Sequence, residues 1–223
     1  MSEMFMDRTD AGRQLAKRLK NLKKRNTVIL GIAYGGIPVA REVAEQLGLP
    51  FDVVSPRKLP IPWSPEAGFG AVASGGVVVL NDRLIREIGL SKKRIERIIQ
   101  EVSEGVGQRE RLIRTKLPKQ DLAGKHVIVV DDGIASGYTM LTAIRSAKEA
   151  GARRISVATP VASESAVRLI EDSSDEIICL IVSHRLPFAV ADYYVAWHDL
   201  TEEEVLSYLP EKQESVGTVG GID

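Results

Sequence analysis

The feature that most constrains this chain is the run from residue 127 to 140, Val-Ile-Val-Val-Asp-Asp-Gly-Ile-Ala-Ser-Gly-Tyr-Thr-Met. An unbroken β-branched segment is how a strand reads when a parallel sheet buries it on both faces. That strand ends in Asp131 and Asp132, and the small residues Gly133, Ala135, Ser136 and Gly137 precede a helix opening near Tyr138 and Thr139. In open α/β sheets, ligands bind beyond the carboxyl ends of the strands, where this loop falls. Ala135, Ser136 and Gly137 let a phosphate approach the backbone, and successive N–H groups with the helix N-terminus can hold a dianion. Ser136 and Thr139 add hydroxyl donors. The Asp131 and Asp132 carboxylates can accept from a vicinal diol and favour positive charge developing on a sugar ring. An acid pair after a strand can also cap a loop or hold a metal. The Ala-Ser-Gly-Tyr-Thr run directly behind it favours a sugar phosphate.

Around this motif, short β-branched runs alternate with amphipathic stretches, the pattern of an α/β fold with a mostly parallel sheet. Strands are expected over residues 27–33, 51–55, 77–80, 126–130, 155–161 and 177–182. A first helix carries Leu15, Leu19 and Leu22 and ends near the basic residues 23–25. A second has Pro38 in its first turn and stops at Gly48. A long charged helix runs from a cap at Ser91 towards Arg114, another spans 139–150, and Thr201 with Glu204 predicts a capping box on the last. Residues 56–76, with Pro56, Pro60, Pro62 and Pro65, are too long for an ordinary connector and read as a functional flap or hairpin. One unit over residues 1–210 is expected, with a polar, Gly-rich, disordered tail at 211–223.

The segment from Asp131 to Thr139 resembles the 5-phosphoribosyl-1-pyrophosphate (PRPP) signature of type I phosphoribosyltransferases. Residues 5–19, 31–47 and 58–71 extend the resemblance to a group of such proteins whose acceptor is unassigned. It implies a core parallel sheet flanked by helices, a flexible loop over the active site, and a small hood, here about residues 184–200. It also implies magnesium held mainly by PRPP and water, a nitrogenous acceptor, and a homodimer. Tyr34, Gly35 and Gly36 match the family's pyrophosphate loop, although this chain has Tyr34 where members often carry Arg or Lys. Arg57 and Lys58 resemble the start of the mobile loop in adenine phosphoribosyltransferases and would attend the pyrophosphate. Glu66, on the flap, could take a proton from the acceptor. Ala135 stands where some purine enzymes have an acid, so a general base is not expected there. Phe188 is the aromatic placed to stack on an acceptor base such as a purine, with Trp197 second and read rather as core.

Composition narrows the alternatives. With 30 Lys+Arg against 30 Asp+Glu the net charge is zero, which argues against a general nucleic-acid binder. Cys179 is the single cysteine, so no internal disulfide can form; it reads as a buried small hydrophobe. The first residues, MSEMFMDRTD, lack an apolar h-region, so a secretory signal is not expected; no apolar run reaches transmembrane length, and the cytoplasm is the expected compartment. His126, His184 and His198 lack zinc-site spacing. Three readings follow: a phosphoribosyl transfer enzyme, a non-catalytic PRPP- or nucleotide-sensing regulator of the same fold, and a hydrolase acting at the same site.

Overall fold

The structure, a computed structural model, describes residues 4–22 and 26–210. The basic residues 23–25 and the tail 211–223 lie outside the described residues. Five parallel strands, β1 (Thr27–Ile32), β2 (Phe51–Val54), β6 (His126–Val130), β7 (Arg154–Ser163) and β8 (Glu176–Ser183), form one sheet in the order β2-β1-β6-β7-β8. Alternate residues of the central strands feed opposite faces, as the two-residue strand period requires. Ile29, Ile128 and Val130 meet Leu15 and Leu19 of α1 (Arg8–Leu19) and Val39 and Val43 of α2 (Gly36–Leu47). Val28, Leu30, Val127 and Val129 meet Met140 and Ile144 of α5 (Tyr138–Glu149) and Ile170 of α6 (Glu164–Ile170). Burial on both sides explains the continuous apolar runs.

The connection from β1 through α2 leads to β2 on one side, whereas β6 leads through α5 to β7 and on to β8 on the other. The direction of winding therefore reverses between β1 and β6. The loops at their carboxyl ends, residues 33–36 and 131–137, face the crevice that such a switch point opens.

Residues 56–76, read from the sequence as a flap or hairpin, form a hairpin. β3 (Arg57–Ile61) and β4 (Ser64–Val72) pair antiparallel and continue to β5 (Val78–Leu80) in a second, three-stranded sheet. Its base has its own core, in which Leu59, Phe69 and Val72 pack on Ile98 and Val106 of the 23-residue α4 (Lys92–Arg114). The short α3 (Asp82–Glu87), capped by Asn81, was not anticipated. Ser91 is the N-cap of α4, but its side chain makes no capping bond. The Thr201–Glu204 capping box does form, at the start of α7 (Glu202–Ser207).

Two long-range ties matter for the site. Arg114, in the last turn of α4, donates to buried Asp52 (2.5 Å) and to the Val53 carbonyl (2.9 Å), fastening that helix to the edge strand β2. The N-terminal segment reaches across the molecule, with Phe5 N–H donating to the Tyr193 carbonyl (2.8 Å) and Val195 N–H donating to that of Phe5 (2.8 Å). Among the described residues no helix is long and apolar enough to cross a membrane.

Candidate active site

The switch point brings the glycine loop and the acid pair into contact. A Cβ on Gly35 would lie 2.1 Å from Asp132 Oδ2, and one on Gly36 would lie 2.8 Å from the Val130 carbonyl oxygen and 2.9 Å from Asp131 Oδ1. Gly35 has φ −59 and ψ −35, a conformation open to any residue. It is excluded from bearing a side chain by the Asp132 carboxylate, not by its backbone. Gly35→Ala should therefore destabilise the fold by about 1–3 kcal/mol, the usual cost of overpacking, lowering the melting temperature. A variant melting like wild type would show that the two loops separate freely.

Asp132 faces inward. Its carboxylate accepts from Arg8 Nε at 2.8 Å, and both residues are buried, at 8% and 7% exposure. Arg8 Nη1 donates to the His198 carbonyl (3.0 Å), and its guanidinium lies 3.9 Å from the Trp197 ring centroid. Tyr194 OH donates to the Asp132 carbonyl oxygen (2.6 Å), and Trp197 packs on Tyr194 with centroids 5.1 Å apart. Trp197 is thus part of the wall that holds Arg8.

Asp131 remains half-buried at the crevice, its Oδ1 accepting from Asp132 N–H at 2.9 Å. Burial, then the neighbouring Asp132 charge, pushes the Asp131 carboxyl well above the usual carboxylate range. Burial also pushes Asp132 upward, but Arg8 opposes it. Asp132 is accordingly the acid that keeps its charge through a protein partner. Asp131 forms no ion pair among the described residues.

Behind the acids, the loop is clamped to β7. Ile134 N–H donates to the Val161 carbonyl (2.9 Å), Ser163 N–H to that of Ile134 (2.9 Å), and Ser163 Oγ to that of Ala135 (2.7 Å). The N–H groups of Ala135, Ser136 and Gly137 donate to no protein carbonyl among the described residues. Ala135 and Ser136 are exposed, Tyr138 and Thr139 half-buried, and Gly137 caps the 12-residue α5 with φ +82. Ala166 and Leu169 of α6 close over Gly137, so a side chain there would meet both the left-handed backbone and α6. Gly133 is filled against Val190, where a Cβ would stand 2.4 Å from that side chain. A row of outward amides at a helix start, beside two acids, suits a phosphate joined to a diol.

On the other wall, Tyr34 OH donates to Glu202 Oε1 (3.0 Å), and the Arg109 guanidinium of α4 stacks 3.7 Å from the Tyr34 ring centroid. The Ala33–Tyr34 peptide is cis. Arg57, exposed at the start of β3, lies along Gly105, one helical turn before Arg109.

The phosphoribosyl transferase domain model matches residues 69–195, more than half of the chain. The chain belongs to the phosphoribosyl transferase family. It is 36% identical over 221 residues to Rv0571c of Mycobacterium tuberculosis (strain H37Rv), whose name gives phosphoribosyl transferase as an unproven activity. That alignment covers 99% of this chain and 50% of the relative, so the chain spans about half the length of the curated relatives it matches. Among solved structures it is similar to TT1426 from Thermus thermophilus, with 36% identity, a TM-score of 0.77, and coverage of 92% of this chain and 97% of that one. AQ2163 from Aquifex aeolicus, at 14% identity and a TM-score of 0.51, covers 80% of this chain and 76% of its own and shares the fold.

Within this member of the phosphoribosyl transferase family, the remaining residues singled out from the sequence are dispersed. Lys58 is exposed on β3 and spends its ammonium on the Glu66 carbonyl (2.5 Å), while Glu66 points into solvent near the hairpin tip. Phe188 is half-buried and packs 5.7 Å from the Tyr193 ring in the hood. Cys179 is also half-buried, and burial pushes its thiol up to about 11. Arg8, Arg109 and Ser163 were missed by the sequence reading, because their roles depend on partners far away in the chain. Among the described residues no group of three or more His, Cys, Asp or Glu lies close enough to hold a metal ion.

Proposed function

We propose that the chain transfers the 5-phosphoribosyl group of PRPP to a nitrogenous acceptor, with release of pyrophosphate. The observation that carries this reading is the packing of the Tyr34-Gly35-Gly36 loop against Asp131 and Asp132, with the Ala135–Thr139 amides alongside. In this reading the amides and the Ser136 and Thr139 hydroxyls hold the 5-phosphate. Asp131, which has no ion-pair partner among the described residues, accepts the ribose diol and steadies the positive charge that grows on the ring. The anomeric C–O bond breaks, its electron pair leaves with pyrophosphate, and an acceptor nitrogen forms the new C–N bond and loses its proton.

Magnesium would enter with the substrate: two adjacent acids with no third acidic, His or Cys ligand among the described residues suit an ion carried on a diphosphate, where it would neutralise the leaving group. Phe188 offers an aromatic face for a purine. Glu66 can meet the departing proton only if the hairpin tip bends inward.

The test is magnesium-dependent pyrophosphate release from PRPP across a panel of purine, pyrimidine and amine acceptors. Release with one acceptor class, and not without it, is expected. Saturable PRPP binding with no release for any acceptor would favour the sensing reading, which Tyr34 in place of a cation supports. Release independent of acceptor would mean hydrolysis.

A further inference from the structure

Both ends of the β3–β4 hairpin meet at one cavity on the α5 side of the larger sheet. The chain enters the hairpin after Val54 of β2 and leaves it through the turn at Ser74 and Gly75. Val54, Ser74 and Gly75 all line a cavity of about 260 Å³, whose apolar wall is Leu30, Val53, Leu122 and Ala147. A Cβ on Gly75 would meet nothing within 4 Å, so the turn leaves this space open. The last turn of α5 borders it, about 15 Å along that helix from the loop preceding Tyr138. The cavity is therefore distinct from the crevice at the switch point.

The charged groups that line it are only partly satisfied by one another. Asp52 accepts from Arg114 Nη1 (2.5 Å) and Gln120 N–H (2.9 Å), and Glu149 pairs with Arg145 (3.1 Å). Three groups are left over. Arg114 Nε is buried and donates to no acceptor among the described residues; Glu110 Oε1 stands 3.8 Å away, beyond hydrogen-bond reach. That distant contact is the only ion pair of Glu110 among the described residues. The exposed Lys119 ammonium has no ion pair or hydrogen bond among them. A buried donor without an acceptor is costly, so a ligand that supplies one is favoured there.

The complement of these leftovers is a zwitterion. It needs an acceptor for Arg114 Nε and Lys119, a cation for Glu110, and an apolar body to lie on the wall. The volume falls below that of pockets for drug-sized ligands and suits a molecule of amino-acid dimensions. We infer that this cavity binds a free α-amino acid with an apolar side chain, its carboxylate on Arg114 and Lys119 and its ammonium on Glu110. A molecule seated there ties α4 and the last turn of α5 to both ends of the hairpin. The site stands on its own lining. Only its use, to steady a flap that serves phosphoribosyl transfer, rests on the proposed function.

The experiment is calorimetric titration of the full chain, without PRPP, by L-leucine and two truncated analogues. These are 4-methylpentanoate, which lacks the ammonium, and 3-methylbutylamine, which lacks the carboxylate. L-Leucine should bind, and each analogue about fivefold more weakly, the scale of one partly exposed charge contact. Lys119→Gln should weaken L-leucine by about the same factor and leave the amine unchanged. Glu110→Gln should weaken L-leucine and leave 4-methylpentanoate unchanged. Hydrogen exchange under saturating L-leucine should slow at Val54 and at residues 74–77. Absence of L-leucine binding overturns the proposal, as does an analogue that binds equally well, an affinity unmoved by Lys119→Gln, or protection confined to other parts of the chain. If Glu110→Gln does not fold, Lys119→Gln, on an exposed side chain, carries the comparison. A chain that binds L-leucine here but releases no pyrophosphate from PRPP loses the transfer reading and keeps this site. Pyrophosphate release without L-leucine binding does the reverse.

Discussion

Asp131→Asn is expected to make the ligand-free protein more stable at neutral and alkaline pH while lowering transfer activity by about 10²–10³-fold, the range for losing one preorganised electrostatic contact to a transition state. The asparagine keeps an oxygen to accept from Asp132 N–H, the bond of 2.9 Å seen in the wild type. It removes only a charge that burial and Asp132 make unfavourable. The direction with pH follows from linkage. A carboxyl whose folded pKa is raised binds its proton more tightly in the folded chain than in the unfolded one. Its stabilising contribution is complete below the ordinary carboxylate range and is lost as pH rises through the raised value. Wild type and variant should thus melt together in acid and diverge as pH increases. A separation of about 1 kcal/mol corresponds to about 2–4 °C for a chain of this size. In the proposed transfer, activity has the opposite dependence, because that role asks for an ionised Asp131, and should rise through the same interval. An Asp131→Asn protein that melts below wild type at pH 8, or that retains full turnover, would remove Asp131 from the role given to it.

That residue was legible because its whole context is local. The strand, two acids, small loop and helix start occupy one short stretch, and each step follows from strand, turn and helix-terminus chemistry. The flanking helices were legible for the same reason, through Gly48, which ends α2, and through the Thr201–Glu204 box. The second sheet was harder to read. Pro60 sits inside β3, and a proline argues against a strand unless that strand lies on an edge. β3 is an edge strand, with irregular register on either side of Pro60, so the proline is accommodated. The electrostatics of the site were not legible at all. Arg8 meets Asp132 across 124 residues of chain, and Arg109 reaches Tyr34 from the long charged helix α4. No local pattern distinguishes an arginine that will be buried from one that will not. The fold decides which charges are brought together, and those meetings set the chemistry.

The largest stability effect should come from Arg8→Met. Asp132 is buried, and Arg8 is the cation that compensates it, at 2.8 Å. Removing one partner of a buried ion pair leaves an uncompensated charge, at a cost of about 3–5 kcal/mol, or a fall in melting temperature of about 10 °C. Asp132→Asn alone should cost less. The Arg8 guanidinium keeps the His198 carbonyl and the Trp197 face, so its charge stays partly solvated by protein. The informative variant is the double one, Arg8→Met with Asp132→Asn, which leaves no buried charge unpaired. It should recover most of the stability lost in Arg8→Met, giving a coupling between the two sites well above that of a surface pair. Arg8→Lys should fall between, because an ammonium keeps the charge but cannot address Asp132 and His198 in the same plane. Chemical and thermal denaturation at pH 7 measure wild type and the four variants on one scale. If Arg8→Met melts within about 2 °C of wild type, or the double variant is no more stable than Arg8→Met, then Asp132 draws its compensation from elsewhere and Arg8 is a packing residue.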